Sequence, residues 1–179
     1  MEVFDLGRGR LLTIMQGDLT EVLADAIVNA ANERMLGGGG LDEAVHAAAG
    51  FGLYETCLAL PEVSEGVRCP PGEARITPGF FLPARYVIHA VGPRYLSAQF
   101  SAPVLRRAHE SCLRLAEEHG LESIAFPALS CGIFGYPLVE AAGIAVQACR
   151  DWPGAIRDIR FVLYGESPYQ AWLEAARRP

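Results

Sequence analysis

Asp42 is the carboxylate whose surroundings in the sequence most suggest chemistry. It follows four glycines, Gly37 to Gly40, and two asparagines, Asn29 and Asn32, come before them at the end of a short apolar run. A positioned carboxylate can act as a general base toward a bound water. Glycines that lead into a helix can bind an anion through their N–H groups. The stretch therefore predicts an anion site, in which Asp42 either takes part in a reaction or only lines the pocket.

A second glycine-bearing loop, SCGIFGYP, spans residues 130 to 137. Gly132 and Gly135 allow close approach of the backbone to a ligand, and Phe134 between them offers an apolar face for a sugar ring. Two such loops suit a diphosphate that is bound by main-chain amides, without a clamp of basic side chains.

Four further side chains allow more than one interpretation. Asp18 follows a strand and is either the N-cap of the next turn or an acceptor for an exocyclic amine. Of Asn29 and Asn32, one is expected to bond the local backbone and the other to face a ligand hydroxyl, since buried amides need partners. His46, one helical turn after Asp42, either pairs with it or simply packs.

Cys131 is a weaker candidate for catalysis. It could be a nucleophile with His89 as its base, but nothing in the sequence brings the two together. A free cysteine is more often a small buried hydrophobic residue, and this interpretation is favoured.

Alternating strands and helices must position these residues. Strands are predicted at 2–16 (a hairpin), 26–30, 74–77, 86–91, 123–129 and 159–164. Helices are predicted at 42–49, 53–60, 101–119 (capped by Ser101), 138–150 and, after a capping box of Ser167 and Gln170, to 178. This order predicts a single domain over residues 1–179: a three-layer α/β/α sandwich with a mixed, largely parallel central sheet. A strand directly precedes each of four features: Asp18, the two glycine loops and Tyr164. They should therefore line one crevice at the carboxyl ends of the strands.

Composition excludes several classes of function. The 179 residues are 51% hydrophobic and carry a net charge of −6, which disfavours nucleic acid as a partner. No apolar run is long enough for a membrane span, and no signal peptide is evident. Five scattered cysteines never form C-x-x-C, which argues against a zinc site or disulfide framework and favours a cytoplasmic protein. No lysine is present, so a P-loop or Schiff-base lysine is excluded.

Four segments together resemble a known family. GDLTEVLADAIVNAAN, GGGGLDEAVHAAAG, PGEARITPGFFLPARYVIHAVGP and SIAFPALSCGIFGYP occur in this order between Gly17 and Tyr164. They strongly resemble the macrodomain family and, within it, the MacroD-type branch that includes bacterial O-acetyl-ADP-ribose deacetylases.

The resemblance implies an ADP-ribose site. Asp18, with Leu19 beside it, would contact adenine; Tyr164 would lie against the adenine ring; and Asn32 would bind the distal ribose. The diphosphate and distal ribose would be wrapped by Gly38, Gly39, Gly40 and Leu41 in the first loop and by Ser130, Cys131, Gly132, Ile133 and Phe134 in the second. Asp42 would carry the hydrolytic activity. Cys131 departs from the usual threonine or serine, but that loop binds chiefly through its backbone.

The function expected from the resemblance is hydrolysis of ADP-ribose conjugates, with Asp42 activating a water and Asn32 positioning the ribose, and with no cofactor or metal. Substrates would be O-acetyl-ADP-ribose and proteins with mono-ADP-ribose on acidic side chains. The main alternative is a non-catalytic module that binds ADP-ribose or ADP-ribosylated proteins. A nucleic-acid binder is a third, less favoured alternative.

Overall fold

The computed structural model describes all residues, 1–179, and contains one seven-stranded sheet with the order β1-β2-β7-β6-β3-β5-β4. The strands are β1 (Glu2–Gly7), β2 (Arg10–Gln16), β3 (Ala26–Ala30), β4 (Ala74–Pro78), β5 (Tyr86–Ala90), β6 (Ser123–Phe126) and β7 (Asp158–Leu163). Neighbouring strands from β2 to β5 are parallel, whereas the edge strands β1 and β4 are antiparallel to their neighbours. The predicted mixed, largely parallel sheet is confirmed.

Helices cover both faces of this sheet. They are α1 (Leu41–Ala49), α2 (Phe51–Leu58), α3 (Ala98–Glu118), α4 (Leu138–Asp151) and α5 (Glu166–Arg177), with a short 3-10 turn at Leu19–Glu21. In β3, Val28 packs into the core shared with α3, α4 and α5, while Ile27 packs into the core shared with α1 and α2. Successive side chains of a strand point to opposite faces, and the result is the predicted three-layer arrangement. None of the helices combines the length and hydropathy needed to cross a lipid bilayer.

The predicted start of α3 is wrong by three residues. The helix begins at Ala98, and its N-cap is Ser97, whose Oγ accepts a hydrogen bond from the Phe100 N–H at 3.4 Å. Ser101 lies inside the helix, where its hydroxyl accepts from the Leu96 N–H and donates to the Arg94 carbonyl. It ties the incoming segment to the first turn and does not cap the helix.

Other predicted boundaries also differ from the structure. The helix predicted at 53–60 is α2, which begins and ends two residues earlier, at Phe51 and Leu58. The capping box at Ser167 is not formed, because α5 already begins at Glu166 after Gly165 and has no side-chain cap; Gln170 instead donates to the Glu166 carboxylate at 2.6 Å. Strand β6 ends at Phe126 rather than Leu129. The next residue, Pro127, has no N–H to donate to a neighbouring strand.

Candidate functional site

The carboxyl ends of β2, β7, β6 and β3 lie side by side at one edge of the sheet. The Gly17 N–H donates to the Leu163 carbonyl at 3.0 Å, which brings Asp18 and Tyr164 together at one end of this edge. The second glycine loop follows β6, and the two asparagines and the first loop follow β3. Neighbouring strands are about 4.8 Å apart, so these groups are spread over about 14 Å. The predicted crevice thus has its groups in a fixed spatial order.

Asp18 and Tyr164 lie at one end of this row of groups. Asp18 Oδ1 accepts from the Thr20 N–H at 2.9 Å and from the Thr20 hydroxyl at 2.7 Å, so the N-cap interpretation is observed. Its other oxygen has no hydrogen bond, and the residue is exposed. The Tyr164 side chain is 86% exposed. Leu19 is buried, and its side chain belongs to the core under α1 and α2, which leaves only its backbone for a ligand.

Asp42, the second residue of α1, is 4% exposed. Its Oδ1 accepts a hydrogen bond from Asn29 Nδ2 at 2.7 Å and lies 3.5 Å from His46 Nε2. Its Oδ2 is buried and has no hydrogen-bond partner. Burial raises the pKa of Asp42, while the Asn29 hydrogen bond and the His46 charge oppose that rise. One oxygen is therefore held and the other is available.

The two asparagines have different tasks. The Asn32 amide bonds its own loop: Oδ1 accepts from the Arg34 and Met35 N–H groups at 3.1 Å each, and Nδ2 donates to the Gly37 carbonyl at 3.1 Å. Asn29 instead bonds Asp42 directly, and it was missed as a site residue in the sequence. The available signal was the strand alternation, because Asn29 points to the same face as Ile27, toward the helix that carries Asp42.

Gly38 lies where these groups converge. A Cβ added at Gly38 would stand 3.1 Å from Asn32 Nδ2 and 3.2 Å from Asp42 Oδ2. The backbone at Gly38 has no positive φ, so space, rather than conformation, is what a side chain there would disturb. The second N–H of Asn32 and the free oxygen of Asp42 thus border the same small volume.

The first loop presents a row of free amides. No backbone N–H from Gly38 to Glu43 has a hydrogen-bond partner, and α1 has no side-chain cap. Gly40 has a φ of 64°, a conformation that favours glycine and turns the chain into the helix. Unpaired N–H groups at a helix N-terminus attract anions.

The second loop has the same property. The N–H groups of Gly135 and Tyr136 donate to carbonyls within the loop, and that of Cys131 donates to the Ala128 carbonyl just before it. The N–H groups of residues 132 to 134 have no partner. Ser130 is buried at a φ of 65°, and its hydroxyl is also without a partner. Consecutive free amides form a concave anion-binding nest.

The expected sugar-facing ring of Phe134 has a neighbour that the sequence analysis missed. The Arg94 guanidinium lies over this ring, 4.7 Å from its centroid, so one face of Phe134 is already covered. Arg94 follows β5, and no local pattern links it to residue 134.

The pairing of Cys131 with His89 is not formed. The Cys131 thiol donates to the Leu129 carbonyl at 3.5 Å, and burial raises its pKa to about 12. His89 instead contacts Asn29, Thr77 and Cys57. Cys131 therefore has neither the base nor the lowered pKa that a thiol nucleophile needs.

A groove of about 590 Å³ runs along α1 and α2 beside the first loop. The groove is lined in part by Gly38 and His46, which also lie next to Asp42. The stacked rings of Phe51 and Tyr54, with centroids 5.6 Å apart, form part of its wall. The groove therefore reaches the side of α1 on which His46 lies.

Comparisons with known proteins find similar sequences over most of the chain. The family model described as Macro domain matches residues 28–145. A macro domain-containing protein of Xanthomonas campestris pv. campestris is 51% identical over 92% of this chain and 94% of its own length. O-acetyl-ADP-ribose deacetylase 1 of Pantoea vagans is 39% identical over 91% of this chain and 96% of its own length.

Solved structures give the same result. The Oceanobacillus iheyensis macrodomain with ADP superposes with a TM-score of 0.92 at 36% identity, covering 97% of this chain and 93% of that one. The Trypanosoma brucei macrodomain in complex with ADP-ribose has a TM-score of 0.82 at 39% identity, covering 91% of this chain and 68% of that one.

Proposed function

The chain belongs to the macrodomain family, and from this premise we propose that it binds ADP-ribose and hydrolyses its esters. The proposed substrates are O-acetyl-ADP-ribose and mono-ADP-ribose attached to acidic side chains of proteins. Support comes from the deacetylase name of the Pantoea relative, from the ADP and ADP-ribose in related structures, and from the arrangement around Asp42.

The free oxygen of Asp42 is the observation that carries the proposal. A buried carboxylate oxygen without a hydrogen-bond partner destabilises the fold. The presence of such an oxygen beside Gly38 is accounted for if it binds the substrate or a water molecule. Asn29 holds the other oxygen at 2.7 Å, so the free one has a defined direction. In this position Asp42 can accept a proton from a water molecule.

The binding mode follows the order of groups along the sheet edge. Adenine lies at Asp18 and Tyr164, and the diphosphate lies against the free amides of the two loops. The distal ribose then reaches Asn32 and Asp42. Main-chain amides neutralise the diphosphate, which explains how a chain with a net charge of −6 and no lysine binds an anion.

The proposed reaction is the attack of water on the substrate. The water oxygen bonds to the ester carbonyl carbon while Asp42 takes its proton; the bond from that carbon to the ribose oxygen then breaks, and the ribose oxygen takes up a proton. The products are free acid and ADP-ribose. For a protein-linked substrate, attack at the anomeric carbon would release the protein carboxylate instead. Neither route requires a metal or a cofactor.

The released group needs room beside Asp42. The groove along α1 and α2 borders Gly38 and His46 and has a volume of about 590 Å³, ample for an acetyl group or an amino-acid side chain. We place the acyl or protein side of the substrate there.

All five cysteines are free thiols, which is consistent with work in a reducing compartment such as the cytoplasm.

Two measurements test the proposal on the same samples. Calorimetry with ADP-ribose measures binding, and product analysis measures hydrolysis of O-acetyl-ADP-ribose and of a protein mono-ADP-ribosylated on acidic residues. Asp42→Asn should keep binding and lose turnover by about 100- to 10,000-fold, the usual contribution of a general base. Glu43→Gln is the control for charge, because Glu43 is the adjacent acidic residue in the first turn of α1; it is exposed and lines the groove.

The outcomes separate the alternatives. Tight ADP-ribose binding by the wild type without turnover of either substrate would make the protein a non-catalytic reader. Undiminished turnover by Asp42→Asn would remove Asp42 from the mechanism. An equal loss in Glu43→Gln would point to the charge of the helix N-terminus rather than to a positioned base.

A further inference from the structure

A chain of hydrogen bonds leads from Asp42 into the interior of the protein. Asn29 Nδ2 donates to Asp42 Oδ1 at 2.7 Å and lies 3.2 Å from His89 Nδ1. His89 Nε2 lies 2.9 Å from the Thr77 hydroxyl, which is 3.2 Å from the Pro78 carbonyl. Asn29 and His89 have no exposed surface and Thr77 has 2%. None of the three can be reached by a ligand of ordinary size.

The donor and acceptor roles along this chain are determined by chemistry. The Asn29 amide nitrogen can only donate, so His89 Nδ1 must accept and carries no proton. His89 Nε2 then carries the proton and donates to Thr77, whose own hydroxyl donates to the Pro78 carbonyl. Burial lowers the pKa of His89 to about 3, which is consistent with a neutral ring.

The orientation of the Asn29 amide depends on His89. Asn29 Oδ1 is buried and has no partner, so nothing on that side of the amide holds it. In the flipped orientation, Oδ1 would face the Asp42 carboxylate, oxygen against oxygen, and both nitrogen contacts would be lost. The acceptor at His89 Nδ1 is therefore the second contact that favours the observed orientation.

The sheet keeps these groups in register. Asn29 on β3 and His89 on β5 are directly paired, and Thr77 lies on β4, the next strand. From the helix layer, Cys57 of α2 lies 3.8 Å from His89 Nε2. This chain of hydrogen bonds from Thr77 through His89 and Asn29, called the relay below, crosses three adjacent strands and ends at the Asp42 carboxylate.

We propose that His89 and Thr77 are positioning residues, which hold the Asn29 amide so that Asp42 keeps one oxygen bonded and the other directed at the substrate water. This inference rests on the proposed function for its effect on turnover. It assigns His89 and Thr77 no contact with the substrate.

Substitutions at His89 test the relay. His89→Leu removes the acceptor and should lower kcat about 10- to 100-fold through misplacement of Asp42, with the affinity for ADP-ribose changed less than about 3-fold. His89→Asn places an oxygen close to the Nδ1 position and should recover most of kcat. Thr77→Val should lower kcat less than His89→Leu, and Thr77→Ser should restore it.

His109 provides the matched control. It is also a fully buried neutral histidine, but it lies on the opposite face of the sheet in contact with Phe126, and its Nδ1 is bonded to the Leu105 carbonyl at 2.9 Å. His109→Leu should change the free energy of unfolding without changing kcat. Equal effects of His89→Leu and His109→Leu on kcat would reduce His89 to a structural residue and overturn the inference.

A titration separates this inference from the proposed function. Losing the Asn29 hydrogen bond removes an influence that lowers the pKa of Asp42, so His89→Leu should raise that pKa, as measured by carbon NMR of the carboxyl group. The other titratable groups facing Asp42 are His46 on α1 and Cys57 on α2, and both remain in the variant. The imidazole nitrogen signals of the wild type should show the proton on Nε2.

These signals do not depend on turnover. A wild type without hydrolysis would refute the proposed function, while the titration would still decide the relay. An unchanged Asp42 pKa in His89→Leu, or a proton on Nδ1 of the wild type, would refute the relay even in an active enzyme.

Discussion

Gly38→Ala should abolish most of the proposed activity while leaving the fold intact. The new Cβ would stand 3.1 Å from Asn32 Nδ2 and 3.2 Å from Asp42 Oδ2, where ordinary contacts are 3.4 Å or more. Since Gly38 has no positive φ, alanine adopts the same backbone without strain. The substitution therefore adds one methyl group to the volume in which the water and the distal ribose would meet.

The size of the effect follows from what can move. Asp42 would have to retreat by a few tenths of an ångström, but its Oδ1 is bonded to Asn29 at 2.7 Å and its side chain is buried. A misplacement of about 1 Å can cost about 100-fold in rate, and the methyl group also displaces water. We expect a loss in kcat/KM of about 10- to 100-fold, or about 1.4 to 2.7 kcal/mol.

The assay compares Gly38→Ala with Gly39→Ala. A Cβ at Gly39 would meet nothing within 4 Å, and this residue also has no positive φ. Both variants should keep their melting temperature within about 4 °C of the wild type, since replacing glycine at a compatible site changes stability by about 0.4 to 1 kcal/mol. Hydrolysis of O-acetyl-ADP-ribose should fall further in Gly38→Ala than in Gly39→Ala, which keeps the free N–H of the loop.

Two results would refute this reasoning. Full activity in Gly38→Ala would show that the volume between Asn32 and Asp42 is not where the reaction occurs. Equal losses in both glycine variants would attribute the effect to loop flexibility rather than to the position of the new methyl group.

Four further predictions follow from other contacts. Because burial raises the pKa of Asp42, the acid limb of kcat should lie above the value of about 3.9 for an ordinary aspartate; a pH–rate profile checks it, and a limb below pH 4 would contradict it. Burial lowers the pKa of His89 to about 3 and that of His109 to about 4. The free energy of unfolding is therefore highest above pH 6.5, where both histidines are neutral in the folded and the unfolded protein. It falls at lower pH by about 1.4 kcal/mol per pH unit for each histidine, because only the unfolded protein then takes up the protons. Urea unfolding at pH 7 and pH 5 measures this loss, which should be smaller in His109→Leu. Arg10 is 5% exposed and donates to the carbonyls of Cys149 in α4 and of Trp152 and Ile156 after it. Arg10→Met should cost about 2 to 4 kcal/mol in chemical denaturation, and Arg10→Lys should not recover it because one ammonium cannot span all three carbonyls. Cys131→Ser should leave ADP-ribose affinity within about 3-fold by calorimetry, since the free amides of that loop are backbone groups; a larger change would show that the side chain contacts the ligand.

Local patterns were sufficient to predict the order of elements. Strand alternation, the glycines after β3 and the helical period of α3 are short-range properties, and they located each main element within a few residues. Short-range sequence does not decide whether Ser97 or Ser101 caps α3. The choice depends on the direction from which the chain arrives after β5, where Arg94 and Leu96 engage Ser101.

The site was predicted less completely, because its contacts join distant segments. Residue types alone suggested that one asparagine bonds the backbone, but only the packing of α1 against β3 shows that Asn29 meets Asp42. His89 and Thr77 depend on the pairing of β3, β5 and β4, and Arg94 over Phe134 joins two loops. The roles of Asp18, Tyr164 and the glycine loops in binding stay predictions.

Asn32 divides the segment between β3 and α1 into parts with different conformational entropy. Its three hydrogen bonds close the backbone from residue 32 to residue 37 before any ligand arrives, whereas Gly38, Gly39 and Gly40 make none through their N–H groups. Ordering a backbone costs about 1 to 2 kcal/mol per residue in conformational entropy. The entropic cost that ligand binding would have to offset is therefore roughly 3 to 6 kcal/mol for three glycines, rather than the cost of ordering the whole segment. In the proposed reaction, residues 32–37 would keep their shape between turnovers, while the three glycines would adjust to esters of different size.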